Sequence, residues 1–534
     1  MPATSNDFDY VIIGAGSAGC VLANRLTEDP AVSVCLLEAG PSDRSLFIQM
    51  PAALTFLIES DTYNWKFESE PEAALHGRTI GQARGRGLGG SSSINGMVYV
   101  RGNPKDYDQW ASLGVEGWSF ADCLPFFKKM ESFEAGRDPM RGGTGPLSVT
   151  RSVAKHAFYD AFQLAGEQYG LPAAGDYNSG AQEGVHVTQA TIQGGKRCST
   201  AVAYLRPAMA RPNLTVRTGC LVEKIIFSGT TARGVSYRRN GQTETVMAGR
   251  EVILSAGTIG SPHILMLSGV GEAAHLKQHG IPLVADLPGV GQGLQDHVVA
   301  SLRFRSNGAD AINRSLESLT GRAKLGLQWL LFKTGLGATS FFEVGAFFDG
   351  GSGTDYFNLQ HEFLPFLADF QSGKVVLGDG FQYFISQMRP HSRGAIRLKS
   401  GNPSVKPALS FNYFADRRDM VEMIDGVRKT LDMAGQQAWS KYCTGQLDAV
   451  RRNSTNDEIE AFIRNVANTE HHPVGTCRMG RDAGAVTDAT GKVHGLDNLR
   501  IVDGSILPKI PSANVNAPII MVAEKIASVI TRSL

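Results

Sequence analysis

Near its C-terminal end the chain reads "TEHHPVGTCRMG" (469–480), with two adjacent histidines set against a proline. Only 12 histidines occur in 534 residues, so two together raise the question of imidazole chemistry. A neutral imidazole near pH 7 can take a proton, and imidazole is also a common metal ligand. Adjacent histidines point in different directions, and no carboxylate–histidine pair occurs at helical spacing, so a metal centre lacks support. A general base and a packed turn before Pro473 are the two readings these residues leave open.

A second chemical signal lies at the other end. "GAGSAG" (14–19) places Gly14, Gly16 and Gly19 in the GxGxxG spacing, after the apolar run "YVIIGAG" (10–16). Gly14 permits a tight turn, Gly16 lets the backbone approach a pyrophosphate, and Gly19 allows close helix–strand packing. The helix that follows would turn its positive end toward the phosphates. Glu38 closes the next apolar run, "VSVCLLEAG" (32–40), where an acid can accept hydrogen bonds from a ribose. The pattern predicts dinucleotide binding and by itself leaves NAD and FAD open. A second glycine-rich stretch, "GRGLGGSSSINGMVYVRG" (85–102), has the small residues and donors to lie against a phosphate or a flavin edge.

Elements of the nucleotide-binding kind recur at the start, middle and end of the chain: "EVILSAG" (251–257) and "LRIVDGS" (499–505) read as two further buried strands. This predicts an α/β protein with a discontinuous, Rossmann-like nucleotide-binding domain (1–155, 201–300 and 466–534). Its insertions (156–200 and 301–465) would build an α+β second domain. There the aromatic-rich text, with "FQYFISQM" (381–388) and helical patterns around 415–440 and 456–467, suits a mixed or antiparallel sheet with helices on one side. "KLGLQWLLF" (324–332) reads as an amphipathic core helix, with contact to a membrane as the alternative.

The bulk numbers exclude more than they assign. A formal charge of +1 with interspersed acids and bases gives no footprint for nucleic acid. Seven scattered cysteines without a CxxC suit neither a disulfide framework nor zinc, and Cys477 reads as packing. The glycine motif starts by residue 14 and no apolar run of about 18 residues occurs, so the expectation is a cytoplasmic protein without signal peptide or membrane span, peripheral membrane contact staying open.

Taken together, "GRGLGGSSSINGMVYVRG", "GTIGSPHILMLSGVG" (257–271), "LPGVGQGLQDH" (287–297) and "MRPHSRGAIRLKS" (388–400) resemble the glucose–methanol–choline (GMC) oxidoreductases along nearly the whole chain. "MPAAL", "YNWKFESEPE" and "FEVGAFF" are most similar to choline dehydrogenases and related alcohol dehydrogenases. The resemblance implies FAD rather than NAD, and an alcohol as donor. It implies that Gly14, Gly16, Ser17, Ala18, Glu38 and Ala39 hold the ADP half. Trp65, Leu88, Gly90, Ser91, Asn95, Gly96 and Val98 would follow the path to the flavin. Val222 would meet the adenine, with Ala256, Asp503, Gly504 and Pro518 completing the cofactor site. Ile94 stands where some relatives carry a histidine bonded to the cofactor, so FAD is expected to be non-covalent.

His472 then takes the place of the family's base and Asn516 that of its polar partner, holding the alkoxide as the α-carbon gives a hydride to the flavin. His471 is expected to face away from the substrate. Glu343 with Phe341, Phe342 and Tyr63 would make a cation-friendly substrate wall, and Glu470 is expected to point to solvent. The expected reaction is oxidation of a primary alcohol to the aldehyde, with electrons passed to an organic or quinone-like acceptor. An oxidase releasing hydrogen peroxide, and a flavoprotein lyase or photoenzyme, are the alternatives.

Overall fold

The computed structural model describes residues 6–308, 312–351, 356–369 and 376–532. Two seven-stranded sheets organise them. In the first, the strands Leu214–Thr218, Val34–Glu38, Asp7–Ile13, Gln242–Leu254 and Leu499–Ile501 run parallel. In Asp7–Ile13, Val34–Glu38 and the end of Gln242–Leu254 the apolar residues are consecutive, as strands covered on both faces require. Val11, Ile12, Leu36, Ile253 and Ile501 have no exposed surface. The helix Ser17–Leu26 connects the first two strands, giving the βαβ unit the glycine spacing predicts. The strand expected from residue 251 begins instead at Gln242. Its first half leaves the parallel core and pairs antiparallel with Thr231–Arg239, which in turn pairs with Leu221–Ser228.

The second sheet is antiparallel. Its order is Cys443–Gln446, Val298–Ser306, Gly380–Gln387, Leu359–Leu364, Val344–Phe348 and Gly184–Val187, with Asn468–Thr469 beside Val298 and Val299. The helices Ala157–Tyr169 and Arg417–Ala434 pack on it. The strand at 380–387 is buried along nearly its whole length because helix covers one face and the cavity described below lies under the other.

The final helix, Asn516–Arg532, lies against the first, Ser17–Leu26. Arg25 reaches Glu524 through Nε and Nη2, the latter at 2.6 Å, and the Tyr204 hydroxyl donates to the same carboxylate at 3.0 Å. The Glu524 side chain has no exposed surface, and Lys129 Nζ lies 2.9 Å from its second oxygen, so the buried carboxylate is shared by two cations. The N-termini of the two helices also meet, Ser17 Oγ donating to Asn516 Oδ1 at 2.7 Å.

One predicted element differs in its packing. Residues 324–332 do form a helix (Leu319–Phe332), but Trp329 alone of its side chains is buried. Among the described residues no helix is long and apolar enough to cross a membrane, and no group of three metal-ligating side chains occurs. All seven cysteines are free thiols, and Cys477 has no exposed surface.

Candidate active site

A cavity of about 840 Å3 runs from the glycine turn of the first sheet to the open face of the second, near the upper end of small-molecule sites (roughly 300–1,000 Å3). Gly14, Gly16, Ser17 and Ala18 line one end of it with Glu38, Ala39, Val222 and Ala256. Gly14 has φ +99°, and a Cβ there would come within 2.5 Å of the Ser255 carbonyl oxygen. At Gly16 the nearest neighbour of a Cβ is 3.9 Å away, so a side chain would stand in the cavity itself. Gly19 lies under the helix instead, where a Cβ would overlap the Gly14 carbonyl. Glu38 receives the backbone N–H groups of Ala15, Gly40 and Gly87 at 2.8–2.9 Å, which brings both glycine-rich loops to one carboxylate.

Trp65, Gly90, Ser91, Asn95, Gly96, Val98, Asp503 and Gly504 line the middle. Asn95 is fixed by Arg197, whose Nη1 donates to its side-chain oxygen at 2.8 Å. Asp503 accepts from the Gly257 N–H and the Ser261 hydroxyl. Leu88 and Pro518 are exceptions to the expected list: Leu88 is packed in the core beneath Pro41, and Pro518 is buried in the last helix, leaving Ile519 at the wall. Ile94 meets the cavity with a hydrocarbon side chain that has no nucleophilic atom. A cradle of bare glycine backbone, a helix N-terminus and a carboxylate at the strand end fit a dinucleotide well.

His472 lines the far end. Its backbone N–H donates to Asp296 at 2.8 Å, and Asp296 also accepts from Thr469 and from the Tyr413 hydroxyl. His471 sits at φ +61°, uncommon for a residue with a Cβ. It is held there by the Thr469 hydroxyl on its N–H and by Arg84 on its carbonyl. His471 is itself among the residues that line the cavity.

The ring of His472 is oriented by His297, a residue of the "LQDH" stretch that sequence reasoning left without a role. His297 Nε2 lies 3.1 Å from the Met388 carbonyl, and its Nδ1 lies 3.1 Å from His472 Nδ1. A carbonyl only accepts, so Nε2 of His297 carries the proton. Burial pushes His297 down to about 3, so the ring is neutral and presents a lone pair at Nδ1. His472 must then donate from Nδ1, leaving its Nε2 unprotonated toward the cavity. Burial, and next His297, hold His472 well below the ordinary imidazole range. The tautomer and the charge state are those of a base. Replacing His297 with leucine is expected to lower kcat about tenfold or more by freeing the tautomer. Glutamine, which can still donate to Met388 and accept from His472, should restore most of it; equal loss in both variants would show that packing, not polarity, is what matters.

The polar partner of that Nε2 is Asn514, not Asn516. Asn514 Nδ2 lies 3.5 Å from His472 Nε2 and donates to Glu362 at 2.9 Å. Its side-chain oxygen faces the Gln360 amide at 3.4 Å. Asn516 opens the last helix, and its Oδ1 accepts from the Ser17 hydroxyl at 2.7 Å, at the glycine-turn end of the cavity. The two asparagines of "NVN" face different halves of the site because the helix begins at the second.

Of the expected substrate wall only Phe342 reaches the cavity, opposite Phe384 with ring centroids 6.0 Å apart. Glu343 turns inward to the Thr339 hydroxyl and the Ala154 N–H. Phe341 packs edge-on against Phe366, and Tyr63 lies against Ile48, Leu57 and Ile94. The acids that line the cavity on the His472 side, from the second sheet and the segment before His472, are Glu362 and Glu470. Glu470 does not point to solvent; it accepts from the Ser386 hydroxyl on the second sheet. Burial, then the neighbouring Glu362, push Glu470 up to about 8. Burial likewise raises Glu362, and neither carboxyl is acted on by a lysine or arginine. Alternation along "NLQHEFL" was the available signal for Glu362, since every second residue of that strand faces the cavity side.

This arrangement, a dinucleotide cradle joined to a proton-accepting histidine and an amide donor, defines an oxidoreductase site. The GMC oxidoreductase family matches the chain over residues 8–299 and again over 390–523. The chain belongs to the GMC oxidoreductases, FAD-dependent enzymes acting on CH–OH donors. It is 44% identical over 519 residues (97% of this chain, 94% of the relative) to the oxygen-dependent choline dehydrogenase of Brucella canis. It is 43% identical over 527 residues (98% and 93%) to that of Photobacterium profundum. Among solved structures it is similar to pyridoxine 4-oxidase from Mesorbium loti (TM-score 0.89, 28% identity, 98% and 99% coverage). A variant of Aspergillus oryzae formate oxidase aligns with a TM-score of 0.92 at 25% identity, covering 100% of this chain and 99% of its own.

Proposed function

We propose that the protein oxidises a primary alcohol carrying a cationic group, choline being the candidate, to the aldehyde. The observation that carries the proposal is the unprotonated His472 Nε2 set 3.5 Å from the Asn514 amide. An alcohol oxygen entering between them is held by an Asn514 N–H and gives its proton to His472, while a C–H bond is lost as hydride and the C=O bond forms. Non-covalently bound FAD supplies the two-electron acceptor. Asp296, through the His472 backbone, and His297, through the ring, keep the base in place.

The cationic preference is supported by Glu362 and Glu470. Two desolvated carboxyls without a protein cation are held toward their protonated form, and a bound cation would stabilise the ionised form. Glu470→Gln is expected to lower kcat/KM for choline by about tenfold or more, with little change for choline's uncharged carbon isostere. Because the raised carboxyl loses its proton as pH rises through about 8, kcat/KM for choline should climb over that interval while the isostere shows no matching step. Equal responses of the two alcohols would remove the cation reading.

The reaction class is tested by anaerobic titration of the purified protein with choline, benzyl alcohol, medium-chain alkanols and a sugar, following flavin absorbance. Bleaching by an alcohol supports the oxidation; a flavin that none of them bleaches favours a lyase or photoenzyme on the same scaffold. For the electrons we propose a quinone-like or other organic acceptor. Oxygen is the second reading, favoured by the name of the relatives, and oxygen uptake with substrate alone separates the two.

A further inference from the structure

The helix Leu319–Phe332 turns its apolar side outward. Leu327 and Leu331 lie one turn apart, each about 200° around the helix from Trp329, the residue that anchors it. With Phe332 they form the outer surface that a soluble helix would fill with polar residues. A second apolar group stands beside it: Leu46 and Phe47 from the helix Leu46–Gln49, and Phe56 from Leu54–Ile58, with the Phe47 and Phe56 rings 5.2 Å apart. These six side chains are 51–70% exposed.

The two groups are neighbours because one hairpin carries both. Trp329 Nε1 donates to the Gly195 carbonyl at 2.7 Å, and Arg197 Nε, two residues on, donates to the Ile48 carbonyl at 3.0 Å. The turn Gly335–Ala338 after the long helix also packs on Pro51–Ala53, which joins the two short ones. The patch reaches the rim of the active-site cavity. Leu54 and Ile58 are part of the cavity wall, while Phe56 of the same helix faces outward.

The charges around the patch are predominantly basic, with Glu59, Asp61 and Glu317 exposed at its edges. Residues 319–333 carry Arg322, Lys324 and Lys333 and no acid. Arg44 and Lys196 are exposed next to the short helix and on the shared hairpin. A contiguous exposed apolar face marks an interaction surface. Basic residues around such a face suit an anionic bilayer, where apolar side chains enter the interface and Lys and Arg meet the headgroups. A second copy docking here by two-fold symmetry would bring this face and its basic residues against the same set.

We propose that this face docks the enzyme on an anionic lipid bilayer, so that the cavity rim beside Leu54 and Ile58 lies at the membrane surface. The holoenzyme should co-float with vesicles of phosphatidylcholine plus phosphatidylglycerol, and much less with phosphatidylcholine alone, in a salt-sensitive manner. Leu327→Ser combined with Phe332→Ser is expected to weaken partition about tenfold or more. Lys324→Glu is expected to weaken binding to anionic vesicles while leaving the weak binding to neutral ones. Both variants should keep bound FAD and wild-type turnover with a soluble dye acceptor, which separates a lost surface from a lost fold. Wild-type enzyme that fails to float with anionic vesicles, or variants that float as well as it does, would overturn the proposal. So would a wild-type dimer in solution that Leu327→Ser converts to monomer without any flotation, since the occupant would then be a second copy.

Discussion

His472→Ala is expected to lower kcat/KM by about 10²–10⁴-fold, the range for losing a positioned general base. The flavin should still bind, because the groups around the glycine turn lie at the other end of the cavity. Anaerobic stopped-flow mixing with excess alcohol reads the effect directly as slower flavin reduction. The pH dependence gives a second check with a definite sign. A base held below the usual imidazole range stays unprotonated as pH falls past about 6.5, so the acid limb of kcat/KM for an uncharged alcohol should lie below that value. A variant that reduces its flavin at the wild-type rate would move the base elsewhere, to His471 or Glu470, which line the same cavity.

Asn514→Ala and Asn516→Ala should fail in different ways. Asn514 donates to Glu362 and faces His472 Nε2. Its loss removes the donor to the developing alkoxide, and about 10²–10³-fold in kcat is expected, with FAD retained. Asn516 is bonded to Ser17 at the glycine turn, so its loss should show first as weaker FAD retention on dilution, and added FAD should restore much of the rate. Measuring kcat at saturating FAD beside the FAD dissociation constant separates the two. If Asn516→Ala had the larger effect on kcat with FAD saturating, the pairing read from the geometry would be reversed.

How far each residue was legible depended on whether its role is local or long-range. Gly14, Gly16 and Gly19 announce themselves because a tight turn, an open cradle and a close helix each forbid a side chain at a fixed spacing. The central parallel strands are equally plain, since burial on both faces demands an unbroken apolar run, whereas the edge strand Leu214–Thr218, with its polar residues, went unread. The family follows from several such stretches together. His472 is found the same way, as one residue within a continuous segment.

The second sheet was legible only in outline. Its strands are covered by helix on one side and cavity on the other, which blurs the alternation that separates a core face from a solvent face. Glu343 and Glu362 illustrate the consequence. Both are acids in aromatic-rich text, yet Glu343 closes a turn onto Thr339 and Ala154 while Glu362 faces the active cavity. Glu470 was misjudged for a related reason: an acid two residues from a buried histidine reads as solvated unless Ser386, 84 positions away, is known to meet it.

By itself, then, the amino-acid sequence determined the family, the glycine turn of the cradle and the histidine segment proposed to carry the base, because backbone turns and buried runs are set by residues close together in the chain. The tertiary structure alone decided which nitrogen of His472 faces the cavity, which of two asparagines lies beside it, and which carboxyls line that end of the cavity. Those depend on partners 42 to 176 positions apart whose distances and hydrogen-bond polarity no local pattern encodes.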